Sequence, residues 1–115
     1  MTSHTRQLKA YAGERVRGRA VVTVHVLTSA GVTSYPLPHL VRHSPDGFNW
    51  GYAGSGPADL ARSLLVDCLG AVPAPRLYQG FKEHFISRLQ QDDAWQIDEP
   101  TILEWLDSRT EAHRS

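Results

Sequence analysis

The chain has 115 residues, 41% of them hydrophobic, enough for one domain with a buried core and too few for two. Its formal charge is zero, with 12 bases against 12 acids, so no whole-molecule field draws it to nucleic acid or an anionic membrane. A single cysteine, Cys68, excludes an intramolecular disulfide.

The charges are unevenly spread. Arg6, Lys9, Arg15, Arg17 and Arg19 face only Glu14 in the first twenty residues, whereas residues 82–115 carry eight acids against four bases. Two solvated faces account for this; a basic edge for a phosphate-bearing partner, or head-to-tail pairing of protomers, is the sharper alternative. The opening MTSHTRQLKAYAGERV lacks the apolar run of a signal peptide, and no stretch reaches the roughly 18 apolar residues of a membrane span. A cytoplasmic location without membrane contact is therefore expected.

Residues 1–6 are polar and expected to be disordered, leaving 7–112 as a single domain. LKAYAG (8–13) reads as a short strand and GERVRGR (13–19) as a basic turn. AVVTVHVLT (20–28) is the clearest strand, with Val22, Val24 and Val26 on one face by period two. SAG (29–31) turns the chain, and VTSYPL (32–37) returns as an edge partner limited by Pro36 and Pro38. HSPDG (43–47) reads as a type I turn over Ser44–Gly47. FNWGY (48–52) follows as an extended segment with Phe48, Trp50 and Tyr52 on one face.

Pro57 suits the first turn of a helix capped by Ser55 or Gly56, with Asp59 complementing the dipole. Leu60, Ala61, Leu64, Leu65, Cys68 and Leu69 form its core-facing stripe, and Gly70 stops it. A second helix is expected over 76–90, with Leu77, Tyr78, Phe81, Phe85, Ile86 and Leu89 inward and close packing at Gly80. AWQID (94–98) reads as a short strand with Trp95 and Ile97 inward. A last helix over 99–112 turns Ile102, Leu103 and Leu106 inward, with Trp105 at the margin. Strands first and helices after give an α+β fold: a small antiparallel sheet of about three to five short strands packed against about three helices.

Spacing tests remove most chemistries. Gly51, Gly54 and Gly56 read G-x-x-G-x-G, not the dinucleotide G-x-G-x-x-G, and Pro57 stands where a phosphate loop needs its lysine. Ser55 lacks the flanking glycines of a hydrolase elbow, having Ala53 and Pro57 instead. The six histidines form neither H-x-x-x-H on a helix nor H-E-x-x-H, and no CxxC exists. Cys68, on the apolar stripe, reads as an inert thiol. No catalytic residue, metal or cofactor is expected. Amides at a helix start with little side-chain bulk remain an anion site.

Tyr11 and Gly13, the run His43-Ser44-Pro45-x-Gly47-Phe48-x-Trp50-Gly51-Tyr52-x-Gly54-Ser55-Gly56-Pro57-x-x-Leu60-Ala61, then Leu77-Tyr78-Gln79-x-Phe81-Lys82 and Trp95 carry a resemblance. They resemble a family of small prokaryotic proteins of unknown function, also seen in phage and plasmid contexts. Residues 28–38 are longer here than in that pattern. The resemblance implies a compact cytosolic domain and no catalytic residues, and favours a binding or counter-defence role.

The expectation is therefore a non-catalytic binding protein. Its anionic, nucleotide-like ligand would sit at the strand–glycine–helix joint on His43, Trp50, Tyr52, Gly54, Ser55 and Gly56. The rival is a protein–protein interaction module, with a host protein as partner and an apolar patch at Trp105, Tyr35 or Leu40. Nucleic acid is not expected as a partner, and oligomer formation is left open.

Overall fold

The computed structural model describes residues 7–40, 42–44 and 46–114, with side chains of the last helix described as far as Arg109. The expected disorder of residues 1–6 falls outside the described residues, as does Pro45 of the expected 43–47 turn.

The elements run β1 (Leu8–Val16), β2 (Arg19–Thr28), β3 (Gly31–Pro36), α1 (Ser55–Leu69), α2 (Pro75–His84), a 3₁₀ turn (Ile86–Arg88), β4 (Trp95–Asp98) and α3 (Glu99–Arg114). The four strands form one antiparallel sheet in the order β3-β2-β1-β4, and with three helices this is an α+β fold, as expected.

Period-two patterning selects the covered face. Tyr11, Val22, Val24, Val26, Trp95 and Ile97 are buried, while Leu8, Val21 and Leu27 face the other way and are exposed. Against the covered face pack Leu60, Leu64 and Leu65 of α1, Phe81 of α2 and Ile102 of α3, in one hydrophobic cluster. Burying each such side chain contributes about 1.5–3 kcal/mol. A polar clasp adds direction. Asp67 of α1 accepts from the Tyr11 hydroxyl (2.7 Å), the Tyr35 hydroxyl (2.5 Å) and the Lys9 ammonium (3.1 Å), binding α1 to β1 and β3.

Several local expectations are corrected. The basic stretch 13–19 is not a wide turn: β1 continues to Val16, and only Arg17 and Gly18, at φ 53° and 79°, turn the chain. Both residues have positive φ, the geometry of a tight type I′ hairpin. Residues 48–52 form no strand. Gly51 sits at φ 88°, which breaks the extended run; Trp50 is fully buried and Tyr52 is 41% exposed, so the aromatics do not share a face. The second helix stops at His84 rather than 90; the chain continues as the 3₁₀ turn, whose Ile86 carbonyl accepts both the Leu89 N–H (3.3 Å) and the Gly51 N–H (3.0 Å).

The other corrections concern facing. Leu69 and Leu103 are exposed, while Trp105 is buried between α2 and α3, edge-on to Phe81 with ring centres 5.4 Å apart. The expected apolar patch at Trp105 is thus absent. The large exposed aliphatics Leu8, Leu27 and Val32 instead align across three strands on the uncovered sheet face.

Candidate functional site

The joint between β3 and α1 is organised by one carboxylate. Asp59 is fully buried and lies in the second turn of α1, not at its start. It accepts backbone N–H groups from Arg42 (3.2 Å), His43 (2.8 Å) and Ser44 (2.9 Å). The His39 ring adds Nε2–H at 2.9 Å; a carboxylate can only accept, so that nitrogen carries the proton. Burial alone raises a carboxyl pKa, but the His39 and backbone donors outweigh it and hold Asp59 below the ordinary value of 3.8. This carboxylate folds 42–44 onto α1 and directs His43 outward, where its Nε2 lies 2.7 Å from the Tyr78 hydroxyl of α2.

The glycines next to it serve close approach. A methyl group at Gly51 would sit 2.6 Å from the Gln91 Cα, and one at Gly56 would sit 2.8 Å from the Asn49 Cβ. The N-cap of α1 is Gly54, without a side-chain cap; Ser55 is exposed and is already the first helical residue. Trp50 meets Trp95 edge-on, with ring centres 5.6 Å apart, under the Arg15 guanidinium at 4.2 Å. Arg15 also donates to Asn49 Oδ1 (2.6 Å) and the Gln91 carbonyl (2.8 Å), so this basic residue from β1 clamps the glycine segment to the 90s loop.

Of the six residues expected at the ligand site, Trp50 and Gly56 are therefore buried in the protein's own packing, and Gly54 is half-buried under the Tyr52 ring. His43, Tyr52 and Ser55 reach solvent. His43 pairs with Tyr78, the only side-chain contact that ties it to another element among the described hydrogen bonds.

A second place gathers charge. Arg76, His84 and Arg88 stand at four-residue spacing along α2 and the 3₁₀ turn, with Gly80 between them, and line a cleft of about 380 Å³. Arg109 of α3 closes its far side, 5.2 Å above the Trp105 ring. Gly80 makes room: a methyl group there would lie 3.1 Å from the Arg109 guanidinium. Glu83 is the single acid in the lining, against three guanidiniums. Planar guanidinium forks match phosphate and carboxylate oxygens in pairs. The sequence carried a signal for this stripe, R-x-x-x-G-x-x-x-H-x-x-x-R, on the side of α2 opposite its apolar face. Arg109, twenty-odd residues further on, is joined to it only by the α2–α3 packing.

Burial, and next the Glu99 carboxylate, push the Cys68 thiol up to about 11, leaving it protonated at neutral pH. Among the described residues no cluster of His, Cys, Asp and Glu could hold a metal ion. Among them too, no helix is long and apolar enough to cross a membrane.

The geometry thus defines a small α+β protein: an antiparallel sheet with one face covered by helices, a carboxylate-pinned loop before α1, and an arginine-lined cleft between α2 and α3. The chain matches DUF6166, a family of unknown function, over residues 11–108, and it belongs to that family. No curated protein and no solved structure matches it.

Proposed function

We propose that this protein is a non-catalytic, cytosolic binding protein for a phosphate-bearing, nucleotide-like ligand, held in the cleft between α2 and α3. The observation that carries the reading is the convergence of Arg76, Arg88, Arg109 and His84 on one open cleft with Glu83 as its single acid. The cleft, of about 380 Å³, is open to solvent.

The glycine joint keeps a supporting part. Beside it His43 meets Tyr78 of α2 and the Gly51 N–H bonds the Ile86 carbonyl, while His43, Tyr52 and Ser55 are the residues a ligand bound at the joint itself would touch. Sequestration of a phosphorylated signal in a phage or plasmid setting suits such a site, and that setting rests on the sequence resemblance. Calorimetry against pyrophosphate, nucleoside triphosphates and cyclic dinucleotides tests the proposal. Binding is expected in low salt, weakened about tenfold or more by Arg88→Glu, since a charged hydrogen bond is worth about 1.5–3 kcal/mol. No heat with any of these ligands at millimolar concentration would overturn it.

A further inference from the structure

Among the described residues β4 ends the sheet: it pairs with β1 on one side and with no strand on the other. An edge strand presents unpaired N–H and C=O groups, which proteins blunt by shortening the strand, by charges, proline or a bulge, or by a covering helix or loop; β4, at four residues, is short. Trp95–Asp98 carries neither lysine nor proline. Beside this edge runs a cleft of about 480 Å³, lined by Phe85 and Leu89 on the helix side, by Gln96, Ile97 and Asp98 of β4, and by Thr101. Gln96 and Asp98 point to the uncovered sheet face, Trp95 and Ile97 to the helices.

The chain that carries the edge is acidic, with Arg15 of β1 reaching the Gln91 carbonyl before it and Arg88 ending the preceding turn. From Leu89 to Ser108 the chain has no lysine or arginine, while Asp92 and Asp93 precede β4 and Asp98 ends it. Asp98 accepts from the Thr101 hydroxyl and from the Thr101 N–H (2.9 Å), which together hold its carboxyl below the ordinary value of 3.8.

We infer that β4 is a docking edge for an extended basic peptide of a partner protein, which joins the sheet as a fifth strand. Period two dictates the occupant's pattern. Its side chains on the helix side meet Phe85 and Leu89 and are apolar. Those on the other side lie alongside Gln96 and Asp98 and are lysine or arginine, because opposite charges on neighbouring strands attract and like charges repel. The site is separate from the arginine cleft, and either can fail without the other.

The test uses the full chain and a short synthetic peptide alternating lysine with valine. Binding should protect the amides of residues 95–98 from hydrogen exchange. Replacing the lysines by glutamate should weaken it at least tenfold, and so should N-methylation of alternate peptide amides, which removes strand donors while leaving the protein untouched. Leu89→Arg should weaken it similarly. Equal binding of the glutamate peptide or of the N-methylated peptide would overturn the proposal. So would a dimer of the chain that protects 95–98 without peptide, since the occupant would then be a second copy.

Discussion

Arg17 is the one non-glycine residue with positive φ among the described residues, and it pays a steric cost of about 1 kcal/mol to make the two-residue turn between β1 and β2. Asparagine tolerates that region better. Arg17→Asn is expected to raise stability by up to about 1 kcal/mol, read as a higher urea midpoint at unchanged slope. Gly56→Ala should act in the opposite sense. Its methyl group would press on the Asn49 Cβ at 2.8 Å, and overpacking of this kind costs about 1–3 kcal/mol. Asn49 also receives Arg15, so the same substitution should disturb the clamp on the 90s loop. The residue types were readable from the sequence here, but their reasons were not. The glycines suggested a ligand loop; the sequence does not show that Gly51 and Gly56 also lie close against Gln91 and Asn49 of the protein itself.

At the scale of elements, the chain's unusual feature is a loop held by one buried carboxylate. Asp59 satisfies three backbone donors and the His39 ring, so removing it leaves three N–H groups, the buried one of Ser44 among them, without this acceptor. Asp59→Ala is expected to destabilise by about 3 kcal/mol or more. It should also raise hydrogen exchange at Arg42, His43 and Ser44 selectively, which a general loss of stability would not do. In sequence Asp59 read as a helix dipole partner, because spacing places it near Pro57 but cannot say which backbone folds back over it. The regular elements were more legible. Val22, Val24 and Val26 alternate, and the α1 stripe repeats at three and four, so burial followed period. The aromatic run 48–52 shows the limit of that reasoning. Its alternation looked like a strand, yet it has no partner strand, and Gly51 donates to Ile86 instead. Trp105 and Leu103 exchanged their expected environments because helix phase alone does not fix which flank of α3 meets α2.

Over the whole molecule, stability should depend on pH at both ends through the Asp67 clasp. Burial opposes the charge on Asp67, but donors from Tyr11, Tyr35 and Lys9 outweigh it and depress its pKa below 3.8. A depressed folded pKa stabilises above the unfolded value and loses that contribution as pH falls through the folded one. Asp59 behaves the same way. Tyr11 and Tyr35 are pushed up, by burial first and the Asp67 carboxylate next. Their contribution is present below about pH 10 and lost as pH rises beyond it. Urea midpoints should therefore fall below about pH 4 and above about pH 10. Asp67→Asn should be less stable at neutral pH and shallower in both limbs. The charge balance of zero conceals a divided surface: arginines gather on the α2–α3 cleft and acids flank β4.

The central claim is that the arginine cleft binds phosphate groups. Its most direct measurement is an amide-resolved NMR titration of the full chain with pyrophosphate at low salt. Saturable shifts are predicted along residues 76–88 and at Arg109, abolished in the double variant Arg88→Glu, Arg109→Glu while the β2 amides stay unchanged. Saturable shifts confined to His43, Tyr52 and Gly54–Gly56, or none at millimolar pyrophosphate, would contradict it.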